Sequence, residues 1–176
     1  MSAVAKREVA FDAYLGKVVG TLPDGLLLAS LDAAGKPNAM AIGWGSVGII
    51  WSRPVFVAMV RHSRYTFECI EATGDFTVNV PYPHMTDCVQ TAGTISGRDH
   101  DKFPTCGFTA APSVAVRSPY VAECGLVYEC RVVQHTDVVP ENFDPKIINQ
   151  CYPQGDFHRV YFGEILRTIA DEDFGS

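Results

Sequence analysis

The residues most able to do chemistry form the run Arg61-His62-Ser63-Arg64-Tyr65-Thr66, between a predicted strand and a predicted helix. The first turn of a helix has unpaired backbone amides and a partial positive charge, so an anion there meets ready donors. The guanidinium groups of Arg61 and Arg64 match phosphate oxygens. The hydroxyls of Ser63 and Thr66 add further donors. The run predicts a phosphate-binding turn, and the alternative is an ordinary capped helix with two solvated arginines.

A second polar cluster lies between Thr94 and Phe103, where hydroxyls, a glycine and alternating charges follow one another. Such a segment forms either a loop that grips a ligand or a plain surface turn. Asn79, inside a predicted strand, faces either a ligand or the wet side of the sheet. His158, near the last long strand, either contacts a ligand or packs against other side chains. By themselves these residues do not indicate a binding site. They indicate one only if the fold places them next to the run from Arg61 to Thr66.

The segment Gly43-Trp44-Gly45-Ser46-Val47-Gly48 matches the G-x-G-x-x-G pattern of dinucleotide-binding folds. That pattern works only when a helix starts at the glycines and points its amino end at the pyrophosphate. Here the glycines run into Ile49-Ile50-Trp51-Ser52-Arg53-Pro54, which is strand-like and then broken by proline. We therefore predict a bend or hairpin between strands, with close backbone approach to a ligand as a further option.

Strands with tight connections dominate the rest of the chain and must position these clusters. The predicted strands are, in order, Leu26–Leu31, Ala39–Trp44, Ile49–Ser52, Val55–Arg61, Phe76–Val80, Leu126–His135 and Arg159–Thr168. Two short helices are predicted, one from Ser63 as N-cap to a left-handed Gly74, and one over Thr86–Thr91. The residues from Asp32 to Asn38 supply turn chemistry between the first two strands. This pattern favours a β-barrel or sandwich over alternating βα units.

Composition limits the class of protein. The 176 residues, 47% of them apolar, predict a single domain over residues 1–176. The net charge of −6 argues against nucleic-acid and membrane-surface partners, which need basic patches. The first fifteen residues lack a signal-peptide pattern, and no apolar run approaches the roughly 20 residues of a membrane span. A cytoplasmic protein is predicted.

Known catalytic and metal-binding patterns are absent from the sequence. No Ser-His-Asp order, paired-carboxylate arrangement or His-x-x-x-His spacing stands out, so no catalytic side chain and no metal ligand is predicted. The six cysteines are widely and irregularly spaced without a Cys-x-x-Cys pair. They are expected to be buried, reduced thiols.

Taken together, several segments resemble the flavin reductase-like family of FMN-binding split barrels, which includes flavoredoxins. The resemblance extends from about Leu15 to Thr168. Its carriers are Asn38-Ala39-Met40-Ala41-Ile42-Gly43-Trp44, the run from Arg61 to Thr66, Asp75-Phe76-Thr77-Val78-Asn79-Val80-Pro81, the run from Ser96 to Phe103, Gly155-Asp156-Phe157-His158 and Tyr161-Phe162-Gly163-Glu164-Ile165. Each segment alone is weak evidence for the family. The match is specific because all of the segments occur in the family's order.

The resemblance implies a six-stranded antiparallel Greek-key split barrel with a few short helices, and a homodimer with FMN near the interface. It also assigns residues to the cofactor. The phosphate would be gripped by Arg61, Ser63, Arg64 and Thr66, with His62 and Tyr65 nearby and Asn79 at the ribityl or phosphate region. The ring would lie along Met40, Ala41, Ile42, Gly43 and Trp44, while Ser96, Gly97 and Lys102 close the site. His158 is the candidate on the substrate side.

The function that the resemblance implies is an NAD(P)H:flavin oxidoreductase. The flavin would carry the redox chemistry, so no catalytic side chain is required. Two alternatives remain open: a flavoredoxin-type electron carrier reduced by a protein partner, and a non-catalytic flavin-binding module. FAD is an alternative to FMN because it shares the same phosphate, and NADH and NADPH are both candidate donors.

Overall fold

A computed structural model describes residues 5–175. Ten strands lie within this range: β1 (Lys6–Glu8), β2 (Leu26–Leu31), β3 (Pro37–Ile42), β4 (Gly45–Ile50), β5 (Arg53–Arg61), β6 (Asp75–Val80), β7 (Ala110–Ala111), β8 (Tyr120–Val121), β9 (Leu126–Asp137) and β10 (His158–Asp171). Five α-helices accompany them: α1 (Leu15–Thr21), α2 (Tyr65–Thr73), α3 (Thr86–Thr94), α4 (Lys102–Cys106) and α5 (Pro145–Cys151). Within residues 5–175, no helix is both long and apolar enough to cross a membrane.

One antiparallel sheet organises the molecule, with the strand order β3-β2-β6-β9-β10-β5-β4 and with β1 paired to β10. Its edges are two hairpins. The β2–β3 turn is held by the Asp32 carboxylate, which accepts hydrogen bonds from the amides of Ala34 and Lys36 at 2.9 and 2.8 Å. The β4–β5 turn places Trp51 and Ser52 at φ +52° and +59°. Positive φ at both central residues suits the twist of a two-residue hairpin.

Two hydrophobic clusters lie on opposite faces of the β2 end of this sheet. Leu26 and Leu28 belong to the first cluster, whereas Leu27 and Ala29 belong to the second. Because successive side chains of a strand point to opposite faces, β2 is buried on both sides. The second cluster also contains residues of α3 and α4. Burial therefore fixes these two helices beside β2 and β3, close to the predicted ligand segments.

The predicted mainly β split-barrel fold is confirmed, with differences in detail. The main sheet contains eight strands among residues 5–175, not six, since β1 adds to β10 and β4 extends the other edge. Gly74 ends α2 in the left-handed conformation with φ +72°, as predicted. Helices α1, α4 and α5 were not predicted. The prediction of Ser63 as N-cap is wrong: Arg64 occupies that position without a side-chain cap.

All six cysteines are free. Cys69, Cys106, Cys124 and Cys130 are buried, whereas Cys88 and Cys151 are partly exposed. Burial raises the pKa of the Cys69 thiol to about 11, which keeps it protonated at neutral pH. The prediction of burial holds for four of them, and the expectation of reduced thiols stays a prediction.

Candidate functional site

Two adjoining cavities, which share Met40 and Arg64, bring most of the predicted site residues together. The first cavity measures about 180 Å³ and is lined by Met40, Ala41, Ile42, Gly43, Trp44, Met59, Arg61, Arg64 and His158. The second measures about 150 Å³ and is lined by Met40, Ser63, Arg64, Tyr65, Thr66, Ala92, Gly93, Ile95, Ser96, Gly97, Arg98 and Lys102. Because both contain Arg64, they form one elongated site with two compartments.

Two glycines shape the chain at the first cavity: Gly43 lines it, and Gly45 begins β4 beside it. A Cβ built on Gly45 would lie 2.8 Å from the carbonyl oxygen of Val57, so only glycine permits this approach of β4 to β5. The segment is a bend leading into a strand, which confirms that it does not open a dinucleotide-binding helix. Trp44, at the bend, remains 42% exposed. Its ring lies 5.1 Å from that of His158.

His158 and Tyr152 form a neutral pair at this cavity. The Tyr152 hydroxyl and His158 Nδ1 are 2.8 Å apart, and both side chains are buried. Burial, together with the Arg61 cation, lowers the pKa of His158 to about 4. Burial also raises the pKa of Tyr152. At neutral pH the imidazole is therefore uncharged and the phenol is protonated.

Arg61 holds the segment that carries this pair. Its guanidinium donates to the carbonyl oxygens of Asp156 at 2.8 Å and Cys151 at 3.0 Å. The same group lies 5.1 Å above the centre of the Tyr152 ring. Arg61 lines the first cavity and not the second. Its donors are therefore engaged in positioning the chain between α5 and β10.

The second cavity contains two cations that no carboxylate neutralises among residues 5–175. Lys102, only 5% exposed, donates from Nζ to the carbonyl of Ala92 at 2.7 Å. Burial, together with the nearby Arg64 cation, lowers the pKa of Lys102 to about 8. The side chain of Arg64 has neither a hydrogen bond nor an ion pair within the described range. Two such cations beside one cavity favour an anionic ligand.

A buried amide lies behind Thr66 and Gly97, two residues that line the second cavity. Asn38 Nδ2 donates to Thr66 Oγ1 at 2.8 Å, while Asn38 Oδ1 is buried without a partner in the described chain. A Cβ on Gly97 would lie 2.1 Å from that oxygen and 2.7 Å from the Tyr65 ring. Gly97 is thus needed for this close approach. Sequence reasoning did not assign Asn38 to the site, although it opens the run that ends at Trp44.

Arg98 fastens the loop over the second cavity, a role that sequence reasoning also missed. Its guanidinium donates to the Ser63 carbonyl at 3.0 Å and pairs with Glu68. It also lies 5.5 Å above the ring of Tyr65. The Tyr65 hydroxyl in turn donates to Asp32 at 3.0 Å. The only feature of the sequence that indicated these Arg98 contacts is the alternation of charged residues after Ser96.

Two predicted site residues, Asn79 and His62, lie outside both cavities. Asn79 is fully buried and lines neither cavity. Its amide donates to Leu27 O and Thr77 Oγ1 and accepts from Val121 N, so its hydrogen bonds stabilise the sheet. His62 also lines neither cavity. It lies 2.9 Å from the carboxylate of Asp137, which draws it away from the cluster around Arg64.

A family profile and a relative from another organism match most of this chain. The profile of the flavin reductase like domain matches residues 19–175. The chain belongs to this family. An uncharacterized protein of Archaeoglobus fulgidus is 32% identical over 79% of this chain and 68% of its own length.

Two proteins of known structure that are similar to this chain carry the name flavoredoxin. The flavoredoxin of Methanosarcina acetivorans is 29% identical, with a TM-score of 0.69 over 85% of this chain and 69% of that one. The flavoredoxin of Desulfovibrio vulgaris is 26% identical, with a TM-score of 0.69 over 84% and 69% of the two chains. Membership supports a flavin-binding protein of the oxidoreductase type, and the cationic second cavity fits the phosphate of FMN.

Proposed function

We propose that the protein is an FMN-dependent NAD(P)H:flavin reductase, which passes electrons to a flavin or another acceptor. The observation that carries this proposal is the joining of two unlike cavities at Arg64. One is lined by the segment from Met40 to Trp44 and by the rings of Trp44 and His158, with the donors of Arg61 engaged by main-chain carbonyl oxygens. The other presents two cations without carboxylate partners within residues 5–175, as a phosphate requires.

The residues divide between the two ends of the ligand. Lys102 and Arg64 would neutralise the phosphate, and the hydroxyls of Ser63, Thr66 and Ser96 would donate to it. The main chain from Met40 to Trp44 would lie along the ring and exchange hydrogen bonds with its polar edge. We propose FMN rather than FAD, because Arg98 lines the second cavity and latches its loop to Ser63 and Glu68.

The bound flavin would supply the redox chemistry, so this chain needs no catalytic side chain of its own. Its contribution is placement and electrostatics. The His158–Tyr152 pair adds an uncharged side chain to the first cavity, and Trp44 offers a partly exposed aromatic surface. Lys102 and Arg64 hold positive charge at the other end.

The test begins with the purified protein and added FMN. We expect a yellow complex whose absorption near the visible flavin bands bleaches on anaerobic titration with NADH or NADPH. Separate titrations identify the preferred nicotinamide. Absence of binding at excess FMN would disprove the proposal, and binding without reduction by either nicotinamide would remove the reductase activity from it.

The second candidate is an electron carrier that receives electrons from a protein partner. The likeness to two proteins named flavoredoxin, at 29% and 26% identity, favours it. The acidic net charge of −6 would help to steer a basic redox partner. A reduced ferredoxin-type donor should then reduce the bound flavin much faster than either nicotinamide does.

We also propose a homodimer, in which the second copy covers the exposed β4–β5 hairpin. Ile49 and Trp51 are 61% and 58% exposed, and the Trp51 ring lies 5.4 Å from that of Phe162. Exposed apolar groups of this size favour burial against an identical surface. Light scattering should give a dimer, and the substitution Trp51→Glu should give a monomer.

A further inference from the structure

The carboxylate of Asp156 is bound by groups that a phosphate would use. The backbone amide of Ser63 donates to Asp156 Oδ1 at 3.3 Å, and the Ser63 hydroxyl donates to Oδ2 at 2.7 Å. Ser63 lines the second cavity. An amide and a hydroxyl directed at one anion form the kind of donor pair that binds phosphate oxygens. Part of the candidate anion site is therefore occupied by an anion of the chain itself.

The backbone around Asp156 is arranged to present this carboxylate. Asp156 adopts φ +56°, directly after Gly155 at φ +75°. Aspartate and asparagine tolerate the left-handed region better than most residues. The Asp156 carbonyl accepts from Arg61 at 2.8 Å, which holds the turn while the carboxylate faces Ser63. Because Asp156 is exposed, its carboxylate can turn into water without burying a charge.

The charged side chains that line the second cavity are positive. Arg64 and Lys102 attract an anion and have no carboxylate partner in the described chain, whereas Ser63 already holds one. A phosphate that reached all three residues would place its negative charge against Asp156. Like charges that share donors oppose each other, so the phosphate and the Asp156 carboxylate would compete for Ser63.

We propose that Asp156 is a specificity-determining residue for the phosphate of the flavin. Its carboxylate competes with that phosphate for Ser63, which lowers the affinity for FMN relative to riboflavin and keeps the flavin exchangeable. This inference rests on the proposed function. An exchangeable flavin suits a reductase that releases its product better than a carrier that retains its cofactor.

The decisive experiment compares Asp156→Asn with the wild-type protein, using FMN and riboflavin as ligands. Asparagine keeps the shape and the left-handed backbone but removes the charge. We expect the Kd for FMN to fall about tenfold, mainly through slower dissociation. The Kd for riboflavin should change by less than about twofold, because riboflavin lacks the phosphate. The variant Asp156→Gly also permits positive φ and should behave in the same way.

The matched control is Asp99→Asn. Asp99 is an exposed carboxylate in the loop that carries Ser96 and Gly97, and its side chain makes no hydrogen bond within residues 5–175. The Asp99→Asn substitution removes one negative charge near the second cavity, as Asp156→Asn does, but at a residue that does not contact Ser63. We expect its Kd for FMN to stay within about twofold of the wild-type value.

A second measurement follows the Ser63 amide directly by ¹H–¹⁵N NMR. We expect its resonance to move on Asp156→Asn and again when FMN binds, but to move little with riboflavin. An unchanged or higher Kd for FMN in Asp156→Asn would overturn the inference, as would an equal gain in Asp99→Asn. In those cases FMN still binds and the proposed function stands, whereas failure of all variants to bind either flavin would overturn both.

Discussion

Arg61 and Arg64 lie on either side of Ser63 in one turn and carry the same charge, yet they do different work. Arg61 donates to two carbonyl oxygens and packs on Tyr152, so its charge organises the segment before β10. Arg64 meets Lys102 at a cavity and is paired with no carboxylate of the described chain. The comparison teaches that a basic cluster indicates an anion site only where its charges lack internal acceptors.

The largest test of this contrast removes the unpaired cations. The double substitution Arg64→Ala with Lys102→Ala should weaken FMN binding about 100-fold, since two charge-assisted contacts are lost. Riboflavin binding should change by less than about threefold. Titration of flavin fluorescence measures both constants. Equal losses for the two flavins would contradict the assignment of these cations to the phosphate.

The next test concerns the close approach of Gly97. The substitution Gly97→Ala places a Cβ against Asn38 Oδ1 and the Tyr65 ring, so it should lower the free energy of unfolding by about 2 kcal/mol. Gly48→Ala is the control, because a Cβ there meets nothing within 4 Å. Urea unfolding of both variants gives the measurement. A loss no larger than that of Gly48→Ala would show that the loop can shift to accept the methyl group.

Lys102 gives the pH dependence of the cationic region. Its pKa, lowered to about 8, means that the free protein loses this charge as the pH rises through that value. We expect the Kd for FMN to rise about tenfold between pH 7 and 9.5, while that for riboflavin stays level. The variant Lys102→Met should bind FMN weakly with a flat profile. A wild-type slope retained in Lys102→Met would assign the titration to another group.

As the pH rises, FMN binding should weaken, whereas the stability of the flavin-free protein should increase through the same lysine. The folded pKa of Lys102 lies below the ordinary value of 10.5, so unfolding takes up a proton between about pH 8 and 10.5. The free energy of unfolding contributed by this group therefore increases with pH across that window. Comparing the urea midpoints of the wild type and Lys102→Met at each pH isolates the contribution.

The smallest effect on phosphate recognition is expected at Arg61. The substitution Arg61→Ala should leave the ratio of FMN to riboflavin affinities within about threefold of the wild type. It should lower the free energy of unfolding by about 1 kcal/mol, because two hydrogen bonds to the segment before His158 are lost. Trp44 fluorescence should change as that segment moves. A large loss of FMN preference would place Arg61 with Arg64 and end the contrast.

The sequence by itself determined the fold class and the neighbourhood of the site. Apolar runs bounded by turn residues identified the strands, because strand formation depends on local pattern. The glycines from Gly43 to Gly48 indicated a bend, because the strand-like residues after them exclude a helix. The order of the segments was enough for the family resemblance, and the profile match over residues 19–175 bears it out.

Only the tertiary structure decided which partner each polar side chain has. Ser63 meets Asp156 across 93 positions, and Arg61 meets Cys151 across 90. Asn79 hydrogen-bonds within the sheet, while Asn38 keeps a buried oxygen without a partner in the described chain. Local patterns carry no information on such distant pairs, because the packing of the whole chain sets them. The competition between paired and unpaired donors is therefore visible only in the folded molecule.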